Sequence, residues 1–270
     1  MKKIKTLAIL NFVVFTAACL ISNLSQLKII GNKDMSDVSK KFDTVFAPAG
    51  ITFAIWGVIY LSLFGFTIYH LIKAFKQDEL SEANQVIKKI SYLFIINNVA
   101  TAIWVFAFLN EWLGLSVVLI VTQLISLLLI FIRLDLFDNS KSLINKIFTQ
   151  FPLSIYFAWI CVATIANISA YLVSIGWKGP EMMNDVDWAT LLISIATLIA
   201  LFIVGKKKNP YFGLVIIWAL YGIQIKRAAI NEVEFASIIK LCWMGMGFLA
   251  LTTVLEFYKN SRKKKDEIPS

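Results

Sequence analysis

Three stretches carry side chains whose type and spacing suit the binding of a flat, partly polar molecule. Tyr156, Trp159, Ala163 and Asn167 step by three, four and four, so they share one helix face. Phe53, Trp56 and Tyr60 form a second such stripe. Asn97, Thr101, Trp104 and Phe108 form a third, with Asn98 beside it. Aromatic faces stack on planar rings, and amides bond polar substituents. In a bilayer core the same amides also serve as glue between helices, because every polar group there needs an internal partner. Both readings stand for Asn97, Asn98 and Asn167. Trp56, Trp104 and Trp159 lie too deep in their apolar runs to be interfacial belt residues, unlike Trp112, Trp177, Trp188 and Tyr258.

Other chemistry is disfavoured. His70 is the single histidine and reads as interfacial, so neither a Ser-His-Asp arrangement nor a histidine metal site is indicated. Cys19, Cys161 and Cys242 have no metal-ligand spacing and read as small packing residues. Lys240 sits near one end of the last run and can snorkel, while Glu256 lies near the other. With no ionisable residue at mid-span, an ion-coupled pump is disfavoured.

The elements that carry these stripes are membrane helices. The chain has 270 residues, 59% hydrophobic and 16% charged, with mean hydropathy +0.75. Soluble domains are about 25% charged. Eight apolar runs, near 6–27, 50–73, 90–110, 113–132, 151–175, 188–205, 210–225 and 235–258, are long enough to cross about 30 Å of hydrocarbon. Placing both termini in the cytoplasm puts 18 Lys and Arg in inner segments against 7 in outer ones, as the positive-inside rule requires. The net charge of +9 therefore reads as topology and contact with anionic lipid, with no nucleic acid as partner. The basic start followed by an apolar run resembles a signal peptide, but the even count of spans needs it as a retained helix. The fold expected is an all-α polytopic membrane bundle of eight transmembrane helices. Pro48 is expected where the second helix begins, and Gly50, Gly57 and Gly65 at close helix contacts.

The fifth run resembles the last helix of the TspO/MBR family, the tryptophan-rich sensory proteins, whose pattern Tyr-x-x-Trp-x-x-x-Ala-Thr-x-x-Asn is matched by Tyr156, Trp159, Ala163, Thr164 and Asn167. The second run is similar to that family's Pro-rich helix at Pro48, Trp56 and Tyr60, and the third at Trp104 and Phe108. Gly50, Ala54 and Ile155 stand where the family often has Trp, Pro and Pro, Thr101 stands at an Asn position, and no sterol motif is matched around Tyr171. The resemblance covers residues about 5–175. It implies a five-helix unit over 1–178, followed by three further helices over 179–258 and a basic cytoplasmic tail over 259–270. Pro210, Trp218 and Tyr221 echo Pro48, Trp56 and Tyr60, which we read as a second Pro-started aromatic helix rather than a repeat.

The resemblance also implies a ligand. A hydrophobic planar small molecule of the tetrapyrrole kind, such as a porphyrin, would lie in an intrahelical pocket beneath the loop 28–49. The site residues expected are Phe53, Trp56, Tyr60, Asn97, Asn98, Trp104, Tyr156, Trp159, Ala163 and Asn167. Lys28, Lys33, Lys40 and Lys41 would attract its carboxylates. A sensory or regulatory role is expected. A passive carrier of a hydrophobic molecule, an enzyme on a lipid or tetrapyrrole, and a scaffold without ligand remain as alternatives. The partners expected are the bilayer, the small molecule and a second copy of the chain, in a bacterial cytoplasmic membrane.

Overall fold

The computed structural model describes residues 1–30, 32–137, 140–177 and 183–266, with side chains through 260. Lys178, the boundary at 178/179, and the side chains of Arg262, Lys263, Lys264 and Lys265 lie outside the described residues. Among the described residues all regular structure is helical.

Helix α1 (Lys2–Gln26) leads through a short cover helix, α2 (Met35–Lys41), to a 3₁₀ turn at Gly50–Ala54 and α3 (Ile55–Lys76). Then come α4 (Glu82–Ile90), α5 (Leu93–Leu109) and α6 (Leu113–Leu134). The three-residue α7 (Leu143–Asn145) runs through a π turn at Lys146–Gln150 into α8 (Phe151–Ser174). Helices α9 (Asp185–Lys206), α10 (Pro210–Asn231) and α11 (Ala236–Asp266) complete the chain. Seven of the apolar stretches are single spans by length and hydropathy. An eighth results when α4 and α5, bent by 59°, are taken together.

Several local expectations change. Pro48 precedes a 3₁₀ turn rather than opening an α-helix, because the chain must first pass under the cover: a Cβ at Gly50 would meet Ser36 Oγ at 2.8 Å. Gly57 has open space beside it, so only Gly50 and Gly65, the latter against the Phe148 ring, sit at contacts. The run 210–225, the shortest of the eight, belongs to a 22-residue helix with Pro210 in its first turn. His70, in the last two turns of α3, is enclosed by protein. It is buried, and its Nδ1 donates to the Ala83 carbonyl (3.1 Å) while its Nε2 accepts from the Thr149 hydroxyl (3.0 Å). That carbonyl can only accept, which fixes the tautomer.

Five helices close a ring. α1 packs on α3 and α5, α5 on α6, α6 on α8, and α8 on α3. The span Leu143–Ser174, which contains α8, has 67% of its apolar stretch buried, against 33–44% for the other six single spans, so α8 is a central helix on which α3, α6 and α10 pack. Helices α9, α10 and α11 pack on one another, and α10 lies against α8 and the 3₁₀ turn. There the Ala49 N–H donates to the Gly222 carbonyl and the Trp218 indole N–H to the Thr52 carbonyl, both at 2.9 Å.

Contacts between connections sort the chain's turns into two ends. At one, the N-terminal amine pairs with Glu79, Ser142 bonds Glu82, Asn209 bonds the Leu136 carbonyl, and Tyr211 meets Phe257 near the end of α11. At the other, Lys33 and Lys41 reach Glu111, and Asp43 reaches Lys226 and Arg227. The two chain ends therefore share one face of the bundle, as an even number of crossings requires.

Candidate functional site

The aromatic stripes of α3 and α8 meet. Trp56 stacks on Tyr60 with ring centres 5.1 Å apart, and its indole meets Trp159 and Tyr156 edge-on, each at 6.2 Å. Phe53 meets Trp159 edge-on at 6.2 Å. The helical step of three and four is what brings Phe53, Trp56 and Tyr60 to one side of the turn and helix that face α8.

The polar residues of α5 are divided by a single step along the helix. Asn97 faces α6 and α8: its amide donates to the Gln123 carbonyl (3.1 Å) and Ser126 Oγ (3.0 Å), and its oxygen accepts from the Tyr156 hydroxyl (2.7 Å). Thr101 joins this network through Gln123 and Tyr156. Asn98 is turned about 100° away and donates to the Phe94 carbonyl of its own helix (2.8 Å), so it does not join the others. One turn higher, Trp104 stacks on Phe108 and donates to Asn167 Oδ1 (2.7 Å), whose amide donates to Ser116 Oγ (2.8 Å). Thr164 bonds the Ile160 carbonyl of its own helix.

Phe53, Trp56, Trp104, Trp159, Ala163 and Asn167 line one small cavity of about 40 Å³, closed by Ser39, Phe42, Ala47 and Pro48 of the cover segment. Tyr60 and Tyr156 stand behind Trp56, and Asn97 behind Tyr156. The cavity has room for no more than a few waters. A groove of about 400 Å³ adjoins it and shares Ser39, Pro48 and Phe53. Its far wall is Ile225, Lys226, Ala229 and Ile230 of α10, with Lys40 opposite. Phe53 thus divides a ligand-sized groove from a nearly filled inner chamber.

One polar group in the chamber wall has nothing to bond. Trp159 is buried, and its indole N–H has no acceptor among the described residues. A buried donor left unpaired costs about 1–3 kcal/mol. The Trp104 N–H, by contrast, is satisfied by Asn167.

The cover is seated and latched. A reciprocal cap between Asp34 and Asp37 starts α2, and its buried Met35 and Val38 join a cluster with Trp104 and Phe108. Lys33 and Lys41 both bond Glu111 in the α5–α6 turn, and Lys28 bonds Asp37 at 2.6 Å. Three of the four lysines expected to attract a ligand are therefore bound to carboxylates of the protein; Lys40 lines the groove.

The two lysines hold the Glu111 carboxyl below its ordinary value of 4.5, and Lys28 does the same for Asp37. A group with a lowered folded value contributes above its unfolded value, and the contribution is lost as pH falls through the lowered one. Hydrogen exchange of the α2 amides is expected to be independent of pH above 4.5, once corrected for intrinsic rates, and to accelerate below it. Glu111→Gln should produce the same acceleration at neutral pH. Unchanged protection in the variant would show that the latch does not hold the cover.

Sequence reasoning assigned no site residue to α6. Ser116, Gln123 and Ser126 fall at spacings of seven and three, and this polar face in an otherwise apolar helix was the available signal. The cover residues Ser39 and Phe42 and the α10 wall had none, since they meet the stripes only across the fold.

No curated protein and no solved structure matches the chain. A family model described as TSPO-like protein matches residues 8–255, a range that takes in α9, α10 and α11 as well as the five-helix ring. An integral, multi-pass helical membrane protein in contact with lipid, the chain belongs to the TSPO-like protein family.

Proposed function

We propose that this protein binds a flat, hydrophobic small molecule carrying hydrogen-bond acceptors, of the tetrapyrrole kind, between α3, α5 and α8, in a sensory or regulatory role. The observation that carries the reading is the unpaired Trp159 N–H among the rings of Phe53, Trp56 and Tyr156. An acceptor on the ligand would satisfy it. The chemistry of the walls fits such a ring; the closed chamber, at about 40 Å³, does not hold one. Ligand sites span roughly 300–1,000 Å³. Entry therefore begins in the 400 Å³ groove, and full seating needs Phe53 to swing aside and the cover to lift. Lys40 at the groove favours carboxylate-bearing rings, whereas Lys226 beside it is paired with Asp43. The lysine-rich end faces the cytoplasm of a bacterial cell in this reading, and the groove opens on the opposite side.

Trp159→Phe tests the reading directly. The substitution keeps a smaller aromatic ring and removes the N–H, which bonds nothing among the described residues, so a modest loss of thermal stability from the space left by the indole is expected, with the fold retained. Protoporphyrin affinity, measured by the shift of its absorbance in detergent, should fall about tenfold, the worth of one hydrogen bond in a dry site. Affinity equal to wild type would remove the main support for the pocket.

A further inference from the structure

Where α8, α9 and α10 meet the segment that follows the cover helix, a cavity of about 160 Å³ is lined by none of the residues discussed above as ligand-binding. Arg227, only 3% exposed, is part of its wall. Its Nη2 donates to Asp43 and to the Thr44 carbonyl, but its Nε and Nη1 bond nothing among the described residues. Two hydroxyls of the same wall, those of Thr44 and the buried Ser169, also lack a partner there. Buried donors without acceptors are costly to keep unless a bound molecule supplies the acceptors.

The lining also carries the opposite chemistry. Trp177, just past α8, and Trp188, in the first turn of α9, meet edge-on, with ring centres 5.5 Å apart and planes at 70°. Two ring faces set at a corner suit a cation, which is attracted to each within about 6 Å. Asp185 lines the same cavity and makes no hydrogen bond or ion pair among the described residues, because Asn184 and Asp187 cap α9 instead. The charges form two poles. Asp43 faces both Lys226 and Arg227, which leaves one positive unit in excess, and Asp185 supplies one negative unit.

We propose that this cavity binds an ethanolamine phosphodiester, the zwitterionic headgroup of a glycerophospholipid. The phosphate accepts from Arg227 and from the Ser169 and Thr44 hydroxyls. The ammonium donates to Asp185 in the corner made by Trp177 and Trp188. The volume has no room for acyl chains, which stay in the bilayer beside the exposed Trp177. An anionic headgroup without an amine leaves Asp185 unpaired and is repelled by it, so it is rejected. Because α8 belongs to the five-helix ring, a bound headgroup ties α9 and α10 to that ring and braces the segment that carries Asp43 and Thr44.

The test uses the full chain in a nonionic detergent, titrated with short-chain phosphatidylethanolamine, short-chain phosphatidylglycerol and glycerophosphoethanolamine, with the melting temperature as readout. Phosphatidylethanolamine should raise the melting temperature and phosphatidylglycerol should not. Trp177→Leu with Asp185→Asn should raise the half-saturating concentration of phosphatidylethanolamine at least about tenfold, as loss of a ring face and a charge-assisted bond predicts. Both side chains are exposed and outside the α9 cap, so this variant keeps the fold. Ser169→Ala, at the phosphate end, should raise it about threefold. Trp112→Leu with Glu232→Gln, the same chemistry outside the cavity, should leave the response intact, and protoporphyrin affinity should be equal in all these variants. An equal response to glycerophosphoethanolamine supports the site and assigns it to a soluble diester. Equal responses to the two lipids, or equal shifts in the two double variants, would overturn the proposal without touching the aromatic chamber.

Discussion

Replacing Trp56 and Trp159 together by leucine is expected to lower protoporphyrin affinity by about a hundredfold or more. Each indole offers a planar ligand a stacking face worth about 0.5–1.5 kcal/mol beyond the area it buries. Trp159 adds the unpaired N–H, worth about another 1–1.5 kcal/mol. The sum, near 3 kcal/mol, is about two orders of magnitude in the dissociation constant. The two rings also pack on each other and on Tyr60, Tyr156 and Phe53, so the double variant will lose stability. Trp159→Phe narrows the difference, since it deletes the donor and keeps an aromatic face, with a smaller loss of packing than leucine brings. Porphyrin binding within tenfold of wild type in a folded double variant would place the ligand elsewhere, or leave the rings as packing alone.

The second large effect is expected where α10 meets the 3₁₀ turn. Gly222 accepts a hydrogen bond from Ala49 through its carbonyl, and a Cβ added to it would lie 2.0 Å from Thr52 Oγ1 and 3.0 Å from Thr52 Cβ. Thr52 is fully buried and cannot swing into solvent. Gly222→Ala must therefore push the helix off the turn or force Thr52 from its rotamer, at a cost of roughly 2–3 kcal/mol, as overpacking does. Thr52→Ala alone should cost little, because Thr52 Oγ1 has no partner among the described residues. Combined with Gly222→Ala it should recover most of the loss, leaving a residual from the two Cβ atoms. Thermal unfolding of the four variants gives the coupling directly. Additive losses would mean that the close approach is not what docks α10.

This contact also matters for the site. The 3₁₀ turn carries Phe53, and the same stretch of α10 supplies the far wall of the outer groove. The three C-terminal helices therefore contribute to where a ligand would enter, although none of the aromatic stripes lies on them. An overpacked Gly222 should alter ligand entry as well as stability.

Much of this was legible in the sequence. Apolar run length alone determined that the chain is a bundle of membrane helices, because a bilayer admits few other solutions for the backbone. The distribution of lysines determined that both chain ends share a face. The steps of three and four among Phe53, Trp56 and Tyr60, and among Tyr156, Trp159, Ala163 and Asn167, determined which side chains of each helix look the same way. Periodicity says nothing about what that face meets. Asn97 and Asn98 are the same residue type one position apart, yet one ties three helices together and the other bonds its own backbone. Gln123 became a partner of Thr101 only when α6 lay against α5. Trp104 is paired with Asn167, whereas the fully buried Trp159 N–H has no acceptor among the described residues, a difference that no spacing rule distinguishes. The lysines of the cover segment were visible as charge, but only the fold turned Glu111 toward two of them. Helix type, length and facing are local consequences of the chain, whereas partner choice, cavity volume and satisfaction of each polar atom depend on which faces are brought together, and that was decided by tertiary packing.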